Sequence, residues 1–192
     1  NLKDWPDGNV DVGLTDLGNR QAGALAKWLP GHVEKFDAIY ASTMMRAQET
    51  AGHVSEAYNG IEIRSDDRLR EVGNNRSDHT PWPNDKLPKK YADYWSTARP
   101  FAPIMLDAEG NLSETYMHFR TRVGIFVEEM TERHNDETIA VVCHGGVVEV
   151  AFDHIFNLGA WRRCEVWDYN TGITYFQFIK DSPREVWRLH YH

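Results

Sequence analysis

Apolar and polar positions along this chain fall into blocks whose period switches between that of a helix and that of short strands. Ala22, Leu25, Ala26 and Leu29 share one helical face, and Thr15 stands where a capping hydroxyl is needed. Phe36 to Ala41 reads as a short strand, Thr43 to Ala57 as a helix, and Ile61-Glu62-Ile63 as a small strand. The most regular stripe, Phe119, Val123, Phe126, Val127 and Met130, predicts a helix from Glu114 to Arg133. After it come the apolar residues Ile139 to Cys143, bounded by polar sequence and expected to form a strand covered on both faces. A helix from about Val147 to Phe156 follows, then strands at Ile173 to Ile179 and Val186 to Tyr191.

Periodicity is lost between Asn74 and Asn111, where five prolines interrupt a segment carrying Trp82, Trp95, Lys86, Lys89, Lys90 and Arg99. Such a stretch is too long for an ordinary connection and is expected to be a lid or an excursion from the domain. The rest alternates strand and helix, which predicts a single α/β domain over residues 1–192. Its expected form is a three-layer α/β/α sandwich with a mostly parallel central sheet.

Composition narrows the function. The chain has 192 residues, enough for one sizeable core, and a formal net charge of −8. That sign disfavours a general nucleic-acid or membrane-surface binder, so neither partner is expected. A few local arginines can still receive a small anion. The only cysteines are Cys143 and Cys164, and Cys143 lies in a predicted core strand. A disulfide framework is therefore not expected, and a reducing, cytoplasmic setting is. No apolar run reaches membrane-spanning length.

Three segments carry candidate chemistry. His144 ends a predicted strand, where open α/β sheets place their ligands, and Gly145 and Gly146 leave backbone N–H groups free to approach an anion. Ser42 ends another strand, and Arg46 falls in the first turn of the next helix. There a guanidinium and a helix N-terminus can address the same anion, although Arg46 could equally pair with Glu49 or Glu56 on a solvated face. Glu71, in Arg68-Leu69-Arg70-Glu71, would serve as a general acid if the fold buries it beside a leaving group. Otherwise it is a loop carboxylate balanced by Arg68 or Arg70. His190 and His192 could hold a stray metal ion, but their strand-end position suits a structural role better.

Taken together, these strings resemble the histidine phosphatase superfamily, whose best-known members are phosphoglycerate mutases. The resemblance is carried by Leu14-Thr15-Asp16-Leu17-Gly18, Ser42-x-x-x-Arg46-Ala47-x-x-Thr50-Ala51, Arg68-Leu69-Arg70-Glu71, Ser113-Glu114-Thr115 with Arg122-Val123, and His144-Gly145-Gly146. They occur in family order across nearly the whole chain. The resemblance implies a phosphoglycerate mutase-like fold and transfer of a phosphoryl group onto a histidine, with no metal and no cofactor. It casts Arg46 as a phosphate clamp, His144 as the second pocket histidine and Glu71 as the acid that protonates the leaving group. Asn1, Asp7, Gly8 and Gly145 match positions near the substrate. A small phosphorylated molecule is the expected partner, and a homodimer is compatible with the pattern.

One departure matters. The family's nucleophile lies in an Arg-His-Gly motif on the first strand, and no such tripeptide occurs here. Asn1 aligns with the family asparagine shortly after that motif, so the nucleophile is expected upstream, within about fifteen further residues of strand and turn. The chain taken from Asn1 alone is expected to be inactive. Hydrolysis needs only water at the phosphohistidine, which favours a phosphatase. Asp7 would repel a second acidic group and so disfavours phosphoglycerate, unless it turns outward. The alternatives are a mutase-type phosphotransferase and a non-catalytic protein that binds a phosphorylated ligand.

Overall fold

The structure, a computed structural model, describes residues 11–72, 114–159, 166–180 and 186–192. The excursion expected at 74–111 lies outside these, as do Asn1, Asp7 and Gly8. Helix α1 (Asp16–Trp28) begins where the sequence places it, with the Thr15 side chain accepting the Gly18 N–H at 3.1 Å. It buries Ala22 and Ala26, and a short 3-10 turn carries its apolar face on to buried Leu29. Strand β1 (Ala38–Ser42) is buried at every position and feeds α2 (Met45–Ala57). Strand β2 (Ile63–Asp66), α3 (Tyr116–Arg133), β3 (Ile139–Val142) and α4 (Gly145–Ile155) follow.

β1 is the centre of a parallel three-stranded sheet in the order β2-β1-β3. Ile39 is paired with Ile63 on one side and with Ala140 on the other. Because all three strands run the same way, Ser42, Asp66 and Val142 end at one edge, and the loops beyond them meet there. Two apolar clusters cover the sheet. One joins Phe119, Val123, Phe126 and Met130 of α3 to Val147 and Val150 of α4, with Ala38, Tyr40 and Leu69. The other joins Leu29, Ile39, Ala41, Ala51, Val54 and Tyr58. Burial on this scale stabilises by about 1.5–3 kcal/mol for each large apolar side chain, which is what holds both helix layers to the strands.

Two expectations need correction. The β2 strand begins only at Ile63, the last residue of Ile61-Glu62-Ile63, and runs on into polar Arg64, Ser65 and Asp66. It is an edge strand of the described sheet, so only part of its surface must be apolar. β3 is not covered throughout: Val141 is 38% exposed, and β1 is the one described strand that pairs with β3. The last strands, β4 (Tyr175–Ile179) and β5 (Val186–Tyr191), form a separate antiparallel pair. That pair packs on α4 through Phe176, whose ring lies 4.9 Å from Phe152. Among the described residues no helix is long and apolar enough to cross a membrane.

Candidate active site

The edge where the parallel strands end gathers the charged side chains. Ser42 is fully buried at the tip of β1, and its Oγ lies 2.9 Å from His144 Nε2, the residue that follows β3 and Cys143. His144 is itself buried and caps α4 by position, with no hydrogen bond from its side chain to the helix. Burial, reinforced by Arg46, Arg70 and Arg122, holds its ring far below the usual histidine range, so the imidazole is neutral at physiological pH.

Glu71 reaches the same place from the loop after β2. Its carboxylate accepts the Val72 N–H at 2.9 Å and the Gly146 N–H, in the first turn of α4, at 3.3 Å. Burial pushes its carboxyl above the usual range. The two N–H donors and the charges of Arg46 and Arg122 offset that in part. Arg68 does not balance it: that side chain pairs with Asp66 and with Glu129, each at 2.6 Å. Arg70 turns instead to Thr43, donating to Oγ1 at 2.9 Å, while Thr43 donates to Asp67 at 2.7 Å.

Arg46 is the second residue of α2. Burial acts against its charge, and Glu71 and Asp11 support it. A guanidinium remains protonated under such pressure. Neither Glu49 nor the α2 N-terminus behaves as the sequence suggested. Glu49 accepts the Leu14 N–H at 2.5 Å, and Gly13 lies so close to it that a Cβ would fall 2.5 Å from Oε1. The Met45 N–H is taken by Asp11 at 2.7 Å, so the first donor of α2 already has a carboxylate partner.

Sequence reasoning did not single out the supports of this site. Arg122 of α3 forks onto Glu114, at 2.6 and 3.0 Å, and also donates to the carbonyls of Arg68 at 2.5 Å and Glu71 at 3.3 Å. It thereby ties the Glu71 loop to the longest helix. The Glu114 and Arg122 strings were visible, but nothing in one chain announces that their fork also grips two backbone carbonyls. Gly145 opens α4, and a Cβ there would meet only the Cβ of Asp168, at 4.0 Å. Cys143 is a free thiol pushed up to about 12, chiefly by burial, so it is no nucleophile at neutral pH. His190 and His192 are engaged apart, on Gln177 at 2.9 Å and Thr174 at 2.8 Å.

The arrangement is therefore two opposed protonation preferences, a neutral imidazole and a carboxyl that favours its proton, beside buried arginines. Such a pocket suits an anion with a departing oxygen.

Known proteins have the same shape. The chain is 31% identical over 137 residues to phosphoserine phosphatase 1 of Hydrogenobacter thermophilus, covering 71% of this chain and 61% of that protein. It is 26% identical over 147 residues to a metal-independent phosphoserine phosphatase of Arabidopsis thaliana, covering 76% of this chain and 59% of that protein. The aligned region thus spans about three-fifths of the length of these curated relatives. Among solved structures, mycobacterial glucosyl-3-phosphoglycerate phosphatase with VO3 superposes at a TM-score of 0.73 and 24% identity, covering 96% of this chain and 88% of that one. Bacillus stearothermophilus YhfR superposes at 0.72 and 25% identity, covering 94% and 84%. A family model matches residues 1–189, and the chain belongs to the histidine phosphatase superfamily, branch 1.

Proposed function

We propose that this protein is a metal-independent phosphomonoesterase that hydrolyses a small phosphate ester through a phosphohistidine. The observation that carries the reading is the convergence of Arg46, Glu71 and His144 at one sheet edge, with Glu71 biased towards its acid form and His144 towards neutrality. The nucleophile in this reading is a histidine that the family resemblance assigns to a position before Asn1. Its ring nitrogen attacks phosphorus with its lone pair, and the bond from phosphorus to the ester oxygen breaks. Glu71 gives its proton to that oxygen, so the alcohol leaves neutral. Arg46 and His144 hold the equatorial oxygens as charge shifts among them. Water then attacks phosphorus as the Glu71 carboxylate takes its proton, the phosphorus–nitrogen bond breaks with its electron pair returning to the ring, and inorganic phosphate departs.

The names of two relatives make phosphoserine the first substrate to try. Asp7 weighs less against phosphoserine than against phosphoglycerate, because the carboxylate of phosphoserine is accompanied by an ammonium group and that of phosphoglycerate is not. The deciding experiment incubates the intact gene product with phosphoserine and with 3-phosphoglycerate, in the presence of a chelator. Release of inorganic phosphate and an acid-labile phosphoenzyme are expected. Isomerisation of phosphoglycerate without net phosphate release would make the protein a mutase. Tight phosphate binding with no turnover would make it a ligand-binding protein.

A further inference from the structure

We propose that Ser42 is the positioning residue that fixes His144 as the tautomer protonated on Nδ1, so that this N–H is the donor offered to a phosphoryl oxygen. The argument counts protons. Ser42 is fully buried at the end of β1, and its Oγ has two neighbours among the described residues. One is the Met44 N–H at 3.3 Å, which can only donate. The other is His144 Nε2 at 2.9 Å, which donates or accepts according to the ring's tautomer.

If Nε2 carried the proton, Ser42 would accept twice and its own O–H would have no acceptor among the described residues. A buried hydroxyl proton without an acceptor is unfavourable. If Nε2 is bare, every proton is placed: Met44 donates to Oγ, Oγ donates to Nε2, and Nδ1 holds the ring's one N–H. The third state, a ring protonated on both nitrogens, is opposed by burial and by the charges of Arg46, Arg70 and Arg122. Among the described residues nothing bonds to Nδ1, so its proton is available to a ligand.

The backbone makes this arrangement stiff. Ser42 closes a strand paired on both sides, with Asp66 in register beside it, and its carbonyl accepts from Gln48 Nε2 at 2.5 Å. Met44 turns back to Oγ as the chain enters α2. The hydroxyl is therefore held by the same turn that delivers Arg46, which places the tautomer of one phosphate ligand and the position of another under a single structural control. In a neutral imidazole the nitrogen that carries the proton is set by the bond the other one makes.

The tautomer is readable without turnover. Nitrogen NMR of ring-labelled histidine distinguishes the two neutral forms, and His144→Gln identifies which signals belong to His144. The expected result for the intact protein near neutral pH is a protonated Nδ1 and a bare Nε2. A protonated Nε2 overturns the proposal, whatever the activity. Ser42→Ala should give a mixture of tautomers and lower kcat by about tenfold to a hundredfold with little change in KM, less than deleting a donor outright. Ser42→Thr, which keeps the hydroxyl, should restore the Nδ1–H form. An unchanged tautomer in Ser42→Ala would also overturn the proposal, because something else would then be setting it. If Ser42→Ala does not fold, the wild-type spectrum still decides. The kinetic part rests on the phosphatase reading. An Nδ1–H ring in a protein that hydrolyses nothing would sink that reading and leave this assignment standing.

Discussion

Two histidines sit at opposite ends of the sheet, His144 buried and His134 partly so, and the contrast lies in what surrounds each ring. His134 follows α3, and its Nε2 lies 2.9 Å from the Tyr40 hydroxyl of β1. His144 follows β3, and its Nε2 lies 2.9 Å from the Ser42 hydroxyl of the same strand. The difference is what faces the rest of the ring. His134 Nδ1 meets the Glu137 carboxylate at 2.5 Å, a matched partner on the same connection. His144 meets Arg46, Arg70 and Arg122, three like-signed groups that oppose any charge on it. One end of the sheet is neutralised from within. The other sets a ring held neutral among three guanidiniums, with Glu114 on Arg122 and with Asp11 and Glu71 near Arg46.

That contrast is easiest to break at Arg46. Arg46→Ala should lower turnover on a phosphate ester by at least about a hundredfold, the range seen when a transition-state donor is removed. His134→Gln, at the neutralised end, should leave turnover unchanged. Steady-state kinetics of the two variants checks this. Equal losses would mean the two ends are not functionally distinct.

Glu71 sharpens the chemical end. Glu71→Gln should lose about a hundredfold or more on an alkyl phosphate, whose oxygen needs a proton as it leaves, and much less on nitrophenyl phosphate. Since burial raises its carboxyl, wild-type activity on the alkyl ester should fall as pH climbs through that raised value. The stability consequence has the same sign. The native state favours the protonated carboxyl, so the benefit is present at low pH and lost on alkalinisation, and Glu71→Gln should gain on the wild type at high pH. Urea midpoints measured from the ordinary carboxylate value of 4.5 upward follow the loss. Equal kinetic losses on both esters would assign Glu71 to positioning.

Arg46, His144 and Glu71 could be found in the sequence because each stands where a periodic block ends. Arg46 follows the apolar run of β1, His144 follows β3, and Glu71 follows the Arg68-Leu69 turn. What could not be read is which partner each would take. Glu49 was a candidate ion-pair partner for Arg46 and the first N–H of α2 a candidate donor to the anion, but the segment at Asp11 to Leu14 lies against α2 and claims both. Arg70 looked like a counter-ion for Glu71, yet the turn at Asp67 directs it to Thr43. The strand at Ile61-Glu62-Ile63 was misplaced because apolar residues drew it upstream, while pairing with β1 selects Ile63 to Asp66. Periodicity reports which face is buried. It carries no information about which of several polar groups arrives first at a shared neighbour.

The pH dependence of folding offers a third test of the comparison. In the unfolded chain His144 takes up a proton near the ordinary histidine value of 6.5, and in the native state it resists one until far lower pH. The unfolded state therefore binds more protons as pH falls below 6.5, and native stability is lost over that window. His144→Gln removes this contribution, so the fall in melting temperature between pH 7 and pH 5 should be shallower in the variant than in the wild type. Identical slopes would mean that burial and the three arginines do not hold the ring neutral.

The smallest expected effect lies at the other end of the sheet. Tyr40 is buried in β1, and its hydroxyl is approached by His134 at 2.9 Å, by Arg64 at 3.2 Å and by Arg133 at 3.4 Å. Tyr40→Phe keeps the ring and its edge-on packing with Phe126, whose centroid is 5.6 Å away, and removes only the oxygen. The loss is one shared hydrogen-bonding atom. Arg64 is exposed and can turn to water, Arg133 keeps its ion pair with Glu129, and His134 keeps Glu137. The cost should therefore be about 1 kcal/mol, the net value of an ordinary hydrogen bond, and not the larger penalty of a stranded buried charge. A shift of the urea midpoint with an unchanged slope measures it. Turnover should not move, because no group at this end belongs to the anion site. A drop in kcat from Tyr40→Phe would show that β1 transmits strain from one histidine to the other, and the two ends would then have to be treated as one unit.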